Sequence, residues 1–125
     1  VLDIFKEVYP VNTVKRMLED ETIELASLGL MRGRTFKNTI VIGDEMQNAT
    51  ADQVKMLLTR IGEGSRMIIT GDIRQHDRMM GDNGLKDILH RLEHTSVAGV
   101  DVVRFDKKDI ERHPVIEGIL DLYGD

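Results

Sequence analysis

The stretch Thr39-Ile40-Val41-Ile42-Gly43-Asp44-Glu45-Met46-Gln47-Asn48 decides the reading of this chain. Its run of β-branched residues suits a strand buried on both faces of a parallel sheet, where side chains on either side of the pleat meet apolar neighbours. The run stops at Gly43 and gives way at once to two adjacent carboxylates. A second stretch repeats the plan: Met67-Ile68-Ile69-Thr70 is another short apolar strand, and Gly71-Asp72-Ile73-Arg74-Gln75 leaves it. Between the two, Thr50-Ala51-Asp52-Gln53 has the form of a capping box, and Val54, Leu57, Leu58 and Ile61 follow at helical spacing until Gly62. Strand, helix and strand in that order predict a right-handed crossover, hence an α/β fold with a parallel sheet covered on both sides.

Outward from this unit the same alternation continues. Asn12 or Thr13 can cap a helix carrying Val14, Met17 and Leu18, and Ile23-Glu24-Leu25-Ala26 alternates in a strand-like way. Gly29 to Lys37 is a basic connector with no clear period. Beyond the polar loop from Gly81 to Gly84, Leu85, Ile88, Leu89 and Leu92 mark an amphipathic helix. Val100 to Phe105 reads as a third strand, and Pro114 stands where a last helix would begin, with Ile116, Ile119, Leu120 and Tyr123 inward. The expectation is a single domain over residues 1–125, without repeats or linkers.

Composition narrows the function. The 125 residues contain no cysteine, which excludes disulfides and thiolate metal or redox sites. His90 and His94 are four apart but lack the HEXXH pattern, and their polar surroundings argue against a metal site there. A net charge of -5 and an aromatic content of 4% speak against nucleic-acid binding through the general field or through a base-stacking platform. Apolar runs are too short to span a bilayer and no apolar signal segment opens the chain, so no membrane association and a cytoplasmic location are expected. The opening residues Val1-Leu2-Asp3 read as the interior of a longer protein.

In open parallel sheets, ligands bind where the strands end. Asp44 and Glu45 at one exit, with Asp72 and Gln75 at the next, form a constellation suited to a Mg²⁺-nucleotide: one carboxylate near the metal's waters, one to deprotonate the attacking water, and a neutral amide to sense a phosphate oxygen. Either exit alone is compatible with an ordinary solvated turn. The same acids would also serve a metal-dependent phosphoesterase or nuclease that binds divalent ions through Asp44, Glu45 and Asp72. A third possibility is a non-catalytic interaction module.

Five segments carry a family resemblance. Asp44-Glu45-Met46-Gln47-Asn48 resembles the Walker B motif DEAQN of PhoH-like proteins, and Thr70-Gly71-Asp72-Ile73-Arg74-Gln75 resembles their sensor motif TGDxxQ. Met31-Arg32-Gly33-Arg34-Thr35-Phe36, Leu58-Thr59-Arg60-Ile61-Gly62 and Arg112-His113-Pro114 are similar to the family's MRGRT, LTRIG and RHP segments. The likeness runs from about Asn12 to Tyr123, departing at Met46, where the family usually has Ala, and at Gly43, where it often has a larger apolar residue.

The resemblance implies a P-loop ATPase related to superfamily 1 helicases, with a RecA-like three-layer α/β/α fold, incomplete in this chain. It implies ATP and Mg²⁺ as cofactors, Asp44 as the metal-supporting residue, Glu45 as catalytic base and Gln75 as γ-phosphate sensor. Gln47, Arg32, Thr70 and Asp72 would line the nucleotide site, and Arg34 and Arg112 would stabilise transition-state charge, in cis or from a neighbour in a homo-oligomeric ring; Arg60 is a weaker candidate for that task. RNA is the implied partner. None of the eleven glycines is followed by Lys, so the phosphate-cradling GxxxxGK[ST] is missing and the resemblance places it upstream. On that reading the chain alone binds ATP weakly or not at all. The resemblance also places the P-loop strand between the sensor strand and Val100 to Phe105. His113 is expected at a helix start, His76 in a solvated loop beside the sensor motif, and Met79 and Met80 as gap fillers.

Overall fold

The computed structural model describes residues 1–74 and 83–124. They divide into two compact units, Val1–Thr95 and the segment from Ser96 onward. The first contains α1 (Leu2–Val8), α2 (Val11–Glu19), β1 (Ile40–Gly43), α3 (Ala51–Leu58), β2 (Arg66–Ile69) and α4 (Gly84–His94); the second contains α5 (Pro114–Leu122). The protein is thus a mixed α/β chain built on a small parallel sheet.

β1 and β2 pair in parallel, with Ile40 opposite Arg66 and Gly43 opposite Ile69. The ladder is extended at both ends by isolated bonds. The Phe36 and Asn38 N–H groups donate to the carbonyls of Arg60 and Glu63, each at 2.8 Å, and the Thr70 N–H donates to the Gly43 carbonyl at 2.8 Å. Ser65 stitches the end of the crossover to the segment that leads into β1: its hydroxyl donates to the Phe36 carbonyl at 2.8 Å and accepts from the Thr39 N–H at 3.0 Å.

The crossover helix α3 forms as its residues dictate. Thr50 accepts from the Gln53 N–H and the Gln53 side chain accepts from the Thr50 N–H, so two donors that a helix start would leave unpaired are satisfied reciprocally. A cap of this kind contributes about 1 kcal/mol. Val54 and Leu57, each 2% exposed, turn inward from α3 and join Met31, Phe36, Met46 and Ala49 in the core, with Val41, Met67, Ile69 and Ile88 packed against them. Each such aliphatic side chain contributes roughly 1.5–3 kcal/mol by leaving water. Gly43 is part of that fit: a Cβ there would lie 2.8 Å from Ile69 Cδ1 and 3.1 Å from Leu57 Cδ2.

Several expectations are corrected. Among the described residues the strands are covered on one face, with Ile40 70% and Ile68 52% exposed on the other; alternate residues of a strand face opposite ways, and the core gathers Val41, Met67 and Ile69 alone from this pair. Val100 to Phe105 forms no strand, and neither does Ile23 to Ala26. β-branched residues favour an extended backbone, but a strand exists only where a neighbour accepts its ladder bonds, and none does so among the described residues. Neither Asn12 nor Thr13 caps the second helix: it starts at Val11 with Pro10 as its N-cap, so both lie within its first turn. The α3 helix ends at Leu58, short of Gly62. α5 follows the sequence closely: Pro114 opens it, and His113 is its N-cap, accepting from the Val115 N–H at 3.2 Å.

No helix among the described residues is long and apolar enough to cross a membrane.

Candidate functional site

The exits of β1 and β2 lie side by side because the strands pair in parallel, and three short links tie them together. The Met46 N–H donates to the Thr70 carbonyl at 2.9 Å. The Thr70 hydroxyl donates to Asp44 Oδ1 at 2.8 Å. The Asp72 N–H donates to Gln47 Oε1 at 3.2 Å. Asp44, Glu45, Gln47, Thr70 and Asp72 therefore form one constellation, drawn from two segments that the sequence holds about 26 positions apart.

Each member has a distinct setting. Asp44 is solvent-exposed, and its Oδ1 also accepts from the Glu45 N–H at 3.0 Å, so two bonds fix the carboxylate's orientation. Glu45 adopts φ 51 and ψ 45, the left-handed region, and caps a short 3₁₀ turn over Met46–Asn48. That reversal carries the chain off the strand. Both carboxylates face water, so holding them side by side at the rim carries no burial cost.

Gln47 departs most from expectation. At 6% exposure it is buried, and its amide serves as a strut beneath the Asp72 backbone. The fit leaves room only for glycine at position 71, where a Cβ would come within 2.7 Å of both Gln47 Oε1 and Leu85 Cδ2. Thr70 likewise holds Asp44 in place. Such second-tier bonds orient the groups that do chemistry.

Asp72 accepts from the Arg74 backbone N–H at 2.9 Å and from the Arg74 guanidinium at 3.2 Å. These bonds, the backbone one foremost, hold its carboxyl below the ordinary 3.8. A depressed folded-state pKa stabilises the turn fully above the unfolded value, and the contribution is lost as pH falls through the lower, folded one. Asp72 is expected to titrate below 3.8 in an NMR pH series; a midpoint at or above 3.8 would mean that the Arg74 turn does not form in solution.

The arginines are distributed differently. Arg34 makes a two-pronged pair with Glu24, at 2.8 and 3.1 Å, and lies over the Phe36 ring at 5.0 Å from its centroid. This pairing raises the Arg34 pKa and lowers that of Glu24. Arg32 is exposed on the turn before it. Arg60 sits at the Phe36–Ile61 bridge with its Nε buried and without a partner among the described residues. Arg112 belongs to the second unit. Gln75, His76, Met79 and Met80 lie outside the described residues, so the proposed sensor is not placed. The sequence reading missed Glu24 as the partner of Arg34, since nothing in local periodicity signals a pair ten positions apart, and missed Arg74, whose Asp-x-Arg spacing was the available clue.

Chemically, the described constellation offers hard carboxylate oxygens on a rigid pair of strand ends, with neighbouring amide and hydroxyl groups already committed to holding them.

Comparison with known proteins gives one family. A model described as "PhoH-like protein" matches residues 1–124. The chain is 40% identical over 122 residues to the PhoH-like protein of Bacillus subtilis, covering 97% of this chain and 38% of that protein. Against Protein PhoH of Escherichia coli K12 the identity is 46% over 103 residues, covering 82% of this chain and 28% of the other. A PhoH-like protein of Synechocystis is 39% identical over 125 residues, 37% of its length. The chain thus spans roughly a third of the length of these relatives.

Proposed function

The chain belongs to the PhoH-like protein family, and from that premise we propose that it supplies the hydrolytic half of a P-loop ATPase site. The observation that carries the proposal is the joining of the two strand exits, in which Thr70 fixes Asp44 and Gln47 fixes the backbone of Asp72. Two motifs that the resemblance assigns to Walker B and sensor roles thereby share one rim. The proposal includes the finer fold, a RecA-like α/β/α layer structure of which β1, α3 and β2 are one crossover.

The donor set fits magnesium, which prefers oxygen ligands and keeps several of its waters. Asp44 would hold the Mg²⁺ of Mg²⁺-ATP, directly or through a bound water, and the ion would supply neutralisation of phosphate charge. Thr70 would keep the Asp44 carboxylate in one orientation for that task. Glu45 orients a water and takes its proton as the water attacks the γ-phosphate. Gln75, which follows the second motif in sequence, would read the γ-phosphate, and Arg32, Arg34 and Arg112 would supply positive charge, from the same subunit or a ring neighbour. For Arg34 that role requires release from Glu24. RNA is the proposed partner whose movement or remodelling hydrolysis drives.

The test is phosphate release by the full-length protein. Mg²⁺-dependent ATP hydrolysis that rises with single-stranded RNA and falls in Asp44→Asn is the expected result. Turnover in Asp44→Asn equal to the parent's would remove Asp44 from the site, and hydrolysis indifferent to RNA would remove RNA as the partner.

A further inference from the structure

The last turn of α4 carries a second group of metal-ligating side chains, outside the strand-exit site. His90, Glu93 and His94 each offer a ligand atom, and the three atoms lie within 4.8 Å of one another. The spacing i, i+3, i+4 places them on one helix face. His90 Nδ1 is 3.8 Å from Glu93 Oε2, and the two imidazoles meet edge to face with centroids 4.9 Å apart. The sequence alone, lacking HEXXH, argued against a metal here; it did not show that Glu93 completes the set.

We propose that His90, Glu93 and His94 form a surface binding site for a late first-row divalent cation, with zinc as its best representative. Imidazole nitrogen and carboxylate oxygen are the donors zinc takes, and imidazole favours zinc, copper and nickel over magnesium or calcium. In a tetrahedral zinc site with bonds of about 2.0–2.1 Å, neighbouring ligand atoms stand roughly 3.3 Å apart, so the three atoms need to close by only about 1.5 Å. Exposed side chains reach that by small rotations about χ angles, without moving the backbone. The fourth position stays open to water.

Two features of α4 favour a cation at this place. His94 ends the helix, and the Thr95 N–H caps it through the Arg91 carbonyl, so the cluster sits at the negative end of the helix dipole. The guanidinium of Arg91, on the same helix, is drawn to the preceding turn, where its Nε donates to Asp87 Oδ2 at 2.9 Å. A metal bridging His90 and His94 would clamp the final helical turn in its folded spacing, so binding and helix stability are linked.

The test is calorimetric titration of zinc chloride into the 125-residue chain, paired with thermal melting followed by circular dichroism. One equivalent is expected to bind with micromolar affinity and to raise the melting temperature. His90→Ala and His94→Ala are each expected to weaken binding by more than tenfold, since loss of a mere supporting partner already costs about 10- to 100-fold. Glu93→Gln should weaken it less. The variant His76→Ala/His113→Ala keeps the site and should bind as the parent does. All these changes are at exposed positions or outside the cluster, and the helical signal without zinc checks that each variant folds. Parent-like binding by His90→Ala and His94→Ala, or no binding by the parent at millimolar zinc, would overturn the assignment.

Discussion

In the full-length protein, Glu45→Gln is expected to lower the rate of ATP hydrolysis by about 10²–10⁴-fold, the usual worth of a positioned general base, while nucleotide affinity stays near the parent value. Gln keeps the length and shape of Glu and meets the same left-handed backbone, so the 3₁₀ turn at Met46–Asn48 and the Thr70–Asp44 bond persist. What the variant loses is the proton acceptor. Single-turnover phosphate release and equilibrium nucleotide binding, measured side by side, separate the two quantities. Hydrolysis within a factor of a few of the parent rate would show that another group takes the proton.

Leu57→Ala is expected to destabilise the 125-residue chain by about 2–5 kcal/mol, the range for truncating a buried leucine. Leu57 is 2% exposed in the layer between α3 and the sheet, and its Cδ2 is so close to Gly43 that a Cβ there would come within 3.1 Å. Neighbours on a paired strand do not relax far into the space it vacates. Since single domains hold roughly 5–15 kcal/mol in all, the urea midpoint should fall steeply. Leu122→Ala, at a residue 86% exposed, should change stability by no more than about 0.5 kcal/mol. Equal midpoints for the two variants would contradict the packing described for α3.

How far the sequence revealed the molecule depends on how local each signal is. The capping box at Thr50 and the Pro114 start of α5 are written in adjacent residues, and both form where the pattern puts them; α4 follows its apolar spacing but starts at Gly84, inside the stretch read as a loop. β1 and β2 were legible from their β-branched runs. α1 was not, because Val1 makes no side-chain cap and none of its residues is buried, so neither a stop signal nor an apolar stripe announces it. Val100 to Phe105 failed for the opposite reason: its residues favour extension, yet a strand depends on a partner that no local pattern supplies. At the site, the residue types and their order were readable, whereas the inward turn of Gln47 and the pairing of Arg34 with Glu24 depend on which segments meet in space.

The left-handed backbone at Glu45 sets two separate demands on whatever occupies that position. A substitute must tolerate a torsion that most L-residues avoid at a cost of about 1–2 kcal/mol, and, for the proposed role as base, it must extend far enough for its acid to meet the attacking water. Asparagine and aspartate satisfy the first condition and stop a methylene short of the second; valine and isoleucine fail both. Few side chains answer to both a torsional and a spatial criterion, so tolerance to replacement at this one position should be narrower than its openness to solvent suggests.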